Sequence, residues 1–440
     1  MIDQIPSHFF DRQRYKAYIA FFLTCILSFG LLMLSGCGVR SVSPNAPVEL
    51  TLWHGINPPP NRDIFQKLVD RFNQTHPKIH VTALYVGQAD QQLPKILTAV
   101  LGDAPPDILW FSAMITGQLV ELGGIHPIGD WLNASPLKAD IEPSLLEGMT
   151  LDGKIWSVPM AANNVGIFYR PSLFKAAGIT QLPQTWEQFR QTAKQLTRDT
   201  NGDGKIDRYG MLLPLGKGEW TVFTWLPFLF SAGGELLDGN QPNLVNPEAI
   251  AALQLWADLR RDGSAILSAP ERGYEINDFL SGRVAMQLTG PWTLGELEAA
   301  RRESGVDYDV MPIPANRERA SVVGGENLFV MNTTPEREQA SLEFLTYVLS
   351  SEFQTSWALD TGYLPISLSA RNSSKYQDFL EEKPTINVFV KQMSVARSRP
   401  IIAKYVRLSD RLGQAIEEAL LGNSPESALK KAQARLELIW

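Results

Sequence analysis

Residues 153–179, GKIWSVPMAANNVGIFYRPSLFKAAGI, decide how the chain is built. Two short apolar runs, 155–160 and 165–169, are joined by Ala161-Ala162-Asn163-Asn164, where the side chains turn small and polar. Runs of that length and composition read as strands, and a soft polar joint between two strands reads as a chain crossing from one lobe to another. Arg170-Pro171 then opens a short helix through Leu173 and Phe174 that stops at Gly178. Proline suits the first turn, where its missing N–H would be unsatisfied anyway, and glycine suits the end. Taken alone, the stretch also fits any β-loop-β-α unit.

Upstream, 48–53 reads as a strand running into His54-Gly55 and Pro58-Pro59-Pro60. A helix follows with Ile64, Phe65, Leu68, Val69 and Phe72 on one face. A second strand (79–86), a second helix (92–101), a third strand (107–110) and a helix through Leu119 and Leu122 come next. That alternation predicts a doubly wound, mostly parallel α/β sheet, in which ligands sit beyond the carboxyl ends of the strands. Trp53, Gln88, Trp110 and Ser112 fall there. Downstream, Thr185-Trp186-Glu187-Gln188 is a capping box, Asn246-Pro247-Glu248 opens a helix, and 284–288 is a strand leading into Gly290-Pro291-Trp292. Strands at 308–314 and 327–331 flank Gly324-Gly325. Helices close the chain, one with Tyr405, Leu408, Leu412, Ile416 and Leu420 in phase. The second half therefore repeats the α/β logic of the first.

The start of the chain differs. Arg12, Arg14 and Lys16 precede an uncharged apolar run over 17–34, followed by Leu34-Ser35-Gly36-Cys37. A basic region, an apolar region and small residues at the exit make a secretory signal over 1–36. The small residues before Cys37 resemble a bacterial lipobox, with Cys37 lipidated and 37–47 as a tether; an uncleaved membrane anchor is the alternative. Either way the body faces the extracytoplasmic, periplasmic side. With Cys25 in the apolar run and Cys37 at its exit, the body holds no further cysteine, hence no disulfide and no thiolate metal site. The chain of 440 residues carries a formal charge of −7, and residues 1–36 contribute +1, leaving −8. An acidic body without a basic cluster excludes nucleic acid as a partner.

No catalytic motif is present: no HExxH, GxSxG, Walker loop or GxGxxG after a strand. Asp199, Asn201, Asp203, Lys205 and Asp207 match the oxygen positions of a calcium loop, with Gly204 at the sharp turn, but the bidentate glutamate position is Gly210. Weak calcium binding, a carboxylate recruited from elsewhere such as Glu219, and a metal-free Asp/Gly turn are the three readings, and loss of the strongest ligand favours the turn. Among 11 tryptophans, Trp53, Trp110, Trp220, Trp225 and Trp292 sit at expected loops and strand ends, where an aromatic face meets the C–H face of a sugar ring. Trp186 and Trp256, in phase with helix faces, are assigned to the core.

From about residue 48 onward, the ordered set Gly102 to Trp110, Gly153 to Phe174, Asp199 to Gly210, Gly290-Pro291-Trp292, Gly324-Gly325-Glu326-Asn327 and Gly362-Tyr363-Leu364-Pro365 resembles the extracellular solute-binding proteins of ABC importers. The group includes maltodextrin- and glycerol-3-phosphate-binding proteins. The resemblance implies a two-lobed periplasmic-binding-protein fold of class II with hinge crossings, the lobes being 48–161 with 326–396 and 162–325 with 397–440. It also implies a monomer that binds a small carbohydrate without chemistry, closes, and delivers it to permease subunits. By that likeness Trp292 is a cleft aromatic that stacks on sugar, Trp110 a second one in the first lobe, and Asn163, beside Asn164, a polar residue at the hinge. Gly325 and Glu326 lie at the second crossing, and Tyr363 and Arg399 near ligand-facing segments. Trp53, Gln88 and Ser112 rest on the strand-end argument, Trp220 on its loop position. His54-Gly55-Ile56-Asn57 lacks the charged residues with which maltodextrin binders grip hydroxyls, and Asn163 replaces a carboxylate. A phosphorylated polyol bound through Arg399, and an exported carbohydrate-active enzyme using Glu326, are the rival functions.

Overall fold

The first predicted strand runs Val48–His54 (β1) and pairs in parallel with Ile79–Tyr85 (β2) and Ile108–Ser112 (β3). The structure, a computed structural model, describes residues 46–440; the signal segment, Cys37 and most of the tether lie outside the described residues. Val158–Pro159 (β4) leads into the crossing, and Gly166–Tyr169 (β5) leaves it. Tyr209–Leu213 (β6), Ala265–Leu267 (β7), Val284–Thr289 (β8), Asp309–Met311 (β9) and Glu326–Val330 (β10) follow. They form two five-stranded sheets, ordered β2-β1-β3-β10-β4 and β7-β6-β8-β5-β9. This is the two-lobed α/β periplasmic-binding-protein fold.

Each sheet is mostly parallel, as predicted, with one of its five strands reversed. In the first, β10 runs antiparallel to both β3 and β4; in the second, β5 runs antiparallel to both β8 and β9. The reason is the route of the chain. β1, β2 and β3 run towards the crossing region, whereas β10 and β5 begin at it and must run away. A strand entering a lobe from the hinge has no other direction open to it.

Side chains alternate between sheet faces along a strand, and the cores follow. Ile108, Trp110, Leu328 and Val330 face one cluster with Phe65, Val69 and Phe72 of the helix Pro59–Thr75 (α1), while Leu109, Phe111, Phe329 and Met331 face another with Ile96. Asp107, only 1% exposed, ties the start of β3 to β1, accepting from Thr51 N (2.7 Å) and from Arg337 (2.9 Å). In the second lobe, the helix Trp186–Leu196 (α2) has its capping box formed, with Thr185 and Gln188 bonded reciprocally. Trp186 and Trp256 are core residues, as expected. Trp225 is one too, fully buried within the helix Glu219–Ser231 (α3) rather than at a loop. The helices Tyr405–Leu420 (α4) and Pro425–Glu437 (α5) complete this core. Among the described residues no helix is long and apolar enough to cross a membrane.

Candidate functional site

Three chain segments pass between the lobes, and hydrogen bonds lace them together. Ala162 exchanges backbone bonds with Leu364, and Asn163 does so with Gly324 (3.0 and 2.8 Å). Met160 N donates to Glu326 O, Val323 N donates to Arg397 O, and Ser321–Val322 pair in parallel with Ala396–Arg397. The Asn163-Asn164 joint thus lies where the strands of both lobes point. Its two asparagines face different ways, as neighbours in an extended chain must. Asn164 is fully buried and structural: its amide donates to Phe389 O (2.9 Å) and its Oδ1 accepts from Gln392 (3.0 Å). Gln392 also donates to Val165 O and accepts from Ile313 N. The segment Ile386–Gln392 is therefore fastened to the second sheet well before residue 396. Asn163 is also buried, but its Oδ1 has no hydrogen-bond partner.

A run of aromatic rings crosses beside this joint. Trp220 meets Trp292 edge to face with centroids 5.9 Å apart, Trp292 lies 6.1 Å from Tyr363, and Tyr363 lies 5.5 Å from Trp357. Trp292, in the short 3₁₀ turn Pro291–Thr293 after β8, packs against the cores of both lobes. Its carbonyl accepts from Asn61 of α1, across from the other lobe (3.4 Å). Trp220 is not in a loop but in the first turn of α3. Phe223, one turn further on, continues the run at 6.2 Å.

The same helix opens with Glu219, which holds the charge beside the joint. Arg399, 7% exposed, donates from Nη1 to Glu219 Oε1 at 2.6 Å and lies over the Phe223 ring at 4.8 Å. Tyr405 OH (2.8 Å) and Ser409 Oγ hold the same carboxylate. Burial works against the Arg399 charge, but Glu219 outweighs it together with Tyr405 and Glu326, and the guanidinium stays charged. Glu326, paired across β3 with Ser112, is largely withdrawn from water, which pushes its carboxyl up to about 7 against the pull of Arg399. Burial, then the Glu326 charge, raise the Tyr363 hydroxyl well above its ordinary value. Asn163 Oδ1, Trp220 Nε1, Gln287 Oε1, Thr289 Oγ1 and Arg399 Nε are all buried here without a hydrogen-bond partner. Leaving such an atom unpaired costs about 1–3 kcal/mol, and five of them gather around the joint and its aromatic run.

A cavity of about 360 Å³ opens between the lobes, with Asn57, Tyr85 and Gln88 on one side and Tyr274, Glu275 and Glu296 on the other. Gln88 precedes the helix Ala89–Leu101 and reaches Gly55 O and Tyr85 OH. Burial raises the carboxyl of Glu296, one helical turn after Trp292.

Of the sequence-predicted residues, the structure brings together Asn163, Trp220, Trp292, Gly325, Glu326, Tyr363 and Arg399, sets Ser112 beside Glu326, and puts Gln88 at the cavity. Trp53 and Trp110 fall on opposite faces of the first sheet: Trp53 packs against the Ile96 and Leu109 cluster, Trp110 in the core with Leu52 and Phe65. Glu219, Phe223 and Trp357 are the members that sequence reasoning did not place. The expected recruitment of Glu219 to the calcium loop does not occur, since Arg399, Tyr405 and Ser409 hold it. Within the loop, Asp199 accepts from the N–H groups of Asn201, Gly202 and Gly204, Asp203 accepts from Lys205 N, and Asp207 accepts from Thr200. Those N–H groups hold the Asp199 and Asp207 carboxyls below their ordinary range. Among the described residues no group of three Asp, Glu, His or Cys side chains is placed to hold a metal.

Residues 67–384 match a family described as bacterial extracellular solute-binding proteins. The sn-glycerol-3-phosphate-binding periplasmic protein UgpB of Yersinia pseudotuberculosis is 24% identical over 368 residues, covering 80% of this chain and 82% of that one. The cyclic α-maltosyl-1,6-maltose-binding protein of Arthrobacter globiformis is 27% identical, with a TM-score of 0.74 over 89% of this chain and 99% of that one. The GacH receptor of Streptomyces glaucescens, solved unliganded and with acarbose, shares the fold at a TM-score of 0.79, with 24% identity over 89% of this chain and 98% of its own.

Proposed function

Since the chain belongs to the bacterial extracellular solute-binding proteins, we propose that it is the receptor of an ABC importer and captures a carbohydrate, whether an oligosaccharide, a disaccharide or a sugar-polyol, between its lobes. It is a binding protein rather than an enzyme. The observation that carries the carbohydrate reading is the run of Trp220, Trp292 and Tyr363 beside unpartnered polar atoms of both kinds, donors and acceptors. Flat rings take the apolar face of a pyranose and the polar atoms take its hydroxyls. In this reading Asn163, Glu326 and Arg399 orient the ligand, Gln88 lines the approach, and Asn164, Trp53 and Trp110 hold the frame. A ligand that touches both lobes favours the closed state by its differential affinity for it. Lipidation of Cys37 would keep the receptor at the membrane on the extracytoplasmic side, a point that palmitate labelling of wild type against Cys37→Ala decides.

Tryptophan fluorescence of the full-length chain, titrated with disaccharides, maltodextrins and glucosylated polyols, tests the reading. A saturable change is expected with one class. Trp292→Ala is expected to weaken that binding by about 10- to 100-fold, the loss of one stacked aromatic anchor. Binding that is indifferent to Trp292 would sink the placement of the sugar there. Similarity to a glycerol-3-phosphate-binding protein favours a second reading, a phosphorylated polyol with its phosphate on Arg399.

A further inference from the structure

We infer that Glu219 sets the charge selectivity of the cleft: by holding Arg399 it neutralises the guanidinium beside the joint, so the site takes a neutral polyhydroxylated ligand and rejects a phosphorylated one. This rests on the binding reading above and narrows it.

Arg399 lies over Phe223, whose ring sits with Asn163 against Gly324 at the joint, and a phosphate would need its guanidinium fork. Nη1 of that fork already donates to Glu219 at 2.6 Å, and Phe223 covers the guanidinium. Glu219 is itself pinned from behind by Tyr405 OH and Ser409 Oγ, so it cannot swing away without stranding two further donors. It also occupies the first turn of the 13-residue α3, so the positive end of that helix is answered by the same carboxylate. A guanidinium already neutralised by Glu219 offers a dianion little net charge, and displacing Glu219 would leave a half-buried carboxylate without its partner.

Hydrogen-bond polarity points the same way. Phosphate oxygens at neutral pH chiefly accept, and would face Asn163 Oδ1 and Gln287 Oε1, both acceptors. A hydroxyl both donates and accepts, so it satisfies these as well as Trp220 Nε1 and Arg399 Nε. Arg62, held against Tyr85 and Asn57 of the cavity wall, offers no better seat. It donates to Ile56 O and Asn57 Oδ1 and lies 3.7 Å over the Tyr85 ring, beside a cavity lined by Glu275 and Glu296.

The test titrates full-length wild type, Glu219→Gln and Arg399→Gln with sn-glycerol 3-phosphate and with the neutral panel named above, with circular dichroism checking each fold. Wild type is expected to show no saturable response to glycerol 3-phosphate. Glu219→Gln, which uncovers Arg399, is expected to bind it about tenfold or more tighter than wild type, with a salt dependence that neutral ligands lack. Saturable glycerol-3-phosphate binding by wild type that is lost in Arg399→Gln would overturn the inference, as would a folded Glu219→Gln with no gain. Should Glu219→Gln not fold, the wild-type arm decides alone. Neutral binding alongside phosphate binding removes this inference and leaves the carbohydrate reading standing. A gain in Glu219→Gln with no neutral ligand bound by wild type removes the carbohydrate reading and keeps the charge filter.

Discussion

Gly325→Ala is expected to lower the free energy of unfolding by about 4 kcal/mol, read as a fall in the urea midpoint at unchanged slope. Two costs add. Its φ of +120° lies where L residues are strained by about 1–3 kcal/mol. A Cβ would also stand 2.1 Å from Ala161 O and 3.1 Å from Ala161 C, backbone atoms that cannot rotate aside. Nor can that backbone retreat, because Met160, Ala162 and Asn163 are bonded to Glu326, Leu364 and Gly324 on both sides of it. Overpacking against a fixed neighbour adds about 1–3 kcal/mol. Gly153→Ala is the control: its φ is also positive, at +72°, but no atom lies within 4 Å of the added Cβ. It should cost about 1–2 kcal/mol. Equal losses in the two variants would mean that the crossing yields, and that close packing does not fix the hinge there.

How far the sequence could be read depends on where each signal resides. Elements with a local signature were legible: the capping box at Thr185, the Asn246 cap, and the periodic faces of α1 and α4. The joint at 161–164 was legible because side chains change character abruptly there. α3 was not, and with it went the true setting of Trp220 and Trp225. Its sequence, EWTVFTWLPFLFS, is apolar on every side and carries Pro227 within the helix, so no 3.6-residue rhythm survives. Strand direction is likewise absent from any local pattern, which is why the one reversed strand in each sheet was not read. Pairing between Glu219 and Arg399 joins residues 180 positions apart, beyond what spacing can show. One signal was available but unused: in an extended joint, adjacent Asn163 and Asn164 must face opposite ways, so only one of them could face the cleft.

Stability between pH 4.5 and 6.5 is expected to be held level by two opposed titrations, each worth about 3 kcal/mol across its range. His54, 4% exposed at the end of β1, accepts from Ile56 N through Nδ1 and packs against Phe65 and Tyr85. Burial, helped by the nearby Arg62 charge, brings its pKa from 6.5 down to about 4. The unfolded chain binds that proton more readily, so this contribution is complete above pH 6.5 and is lost as pH falls towards 4. Glu326 has the opposite sign: burial raises it from 4.5 to about 7, so the folded chain binds the proton more readily. Its contribution is complete below pH 4.5 and is lost as pH rises through 7. Over the shared window one slope rises while the other falls, and each single variant should expose the partner's slope. Urea unfolding of His54→Gln, taken as a difference from wild type so that other groups cancel, should lose stability on going from pH 4 to 6.5 relative to its value at pH 4. Glu326→Gln, taken the same way, should gain it between pH 4.5 and 7. If both variants track wild type at every pH, neither burial perturbs these groups in solution. If only Glu326→Gln departs from wild type, the carboxylate in the cleft carries its proton near neutrality alone, and ligand affinity should then vary with pH around 7.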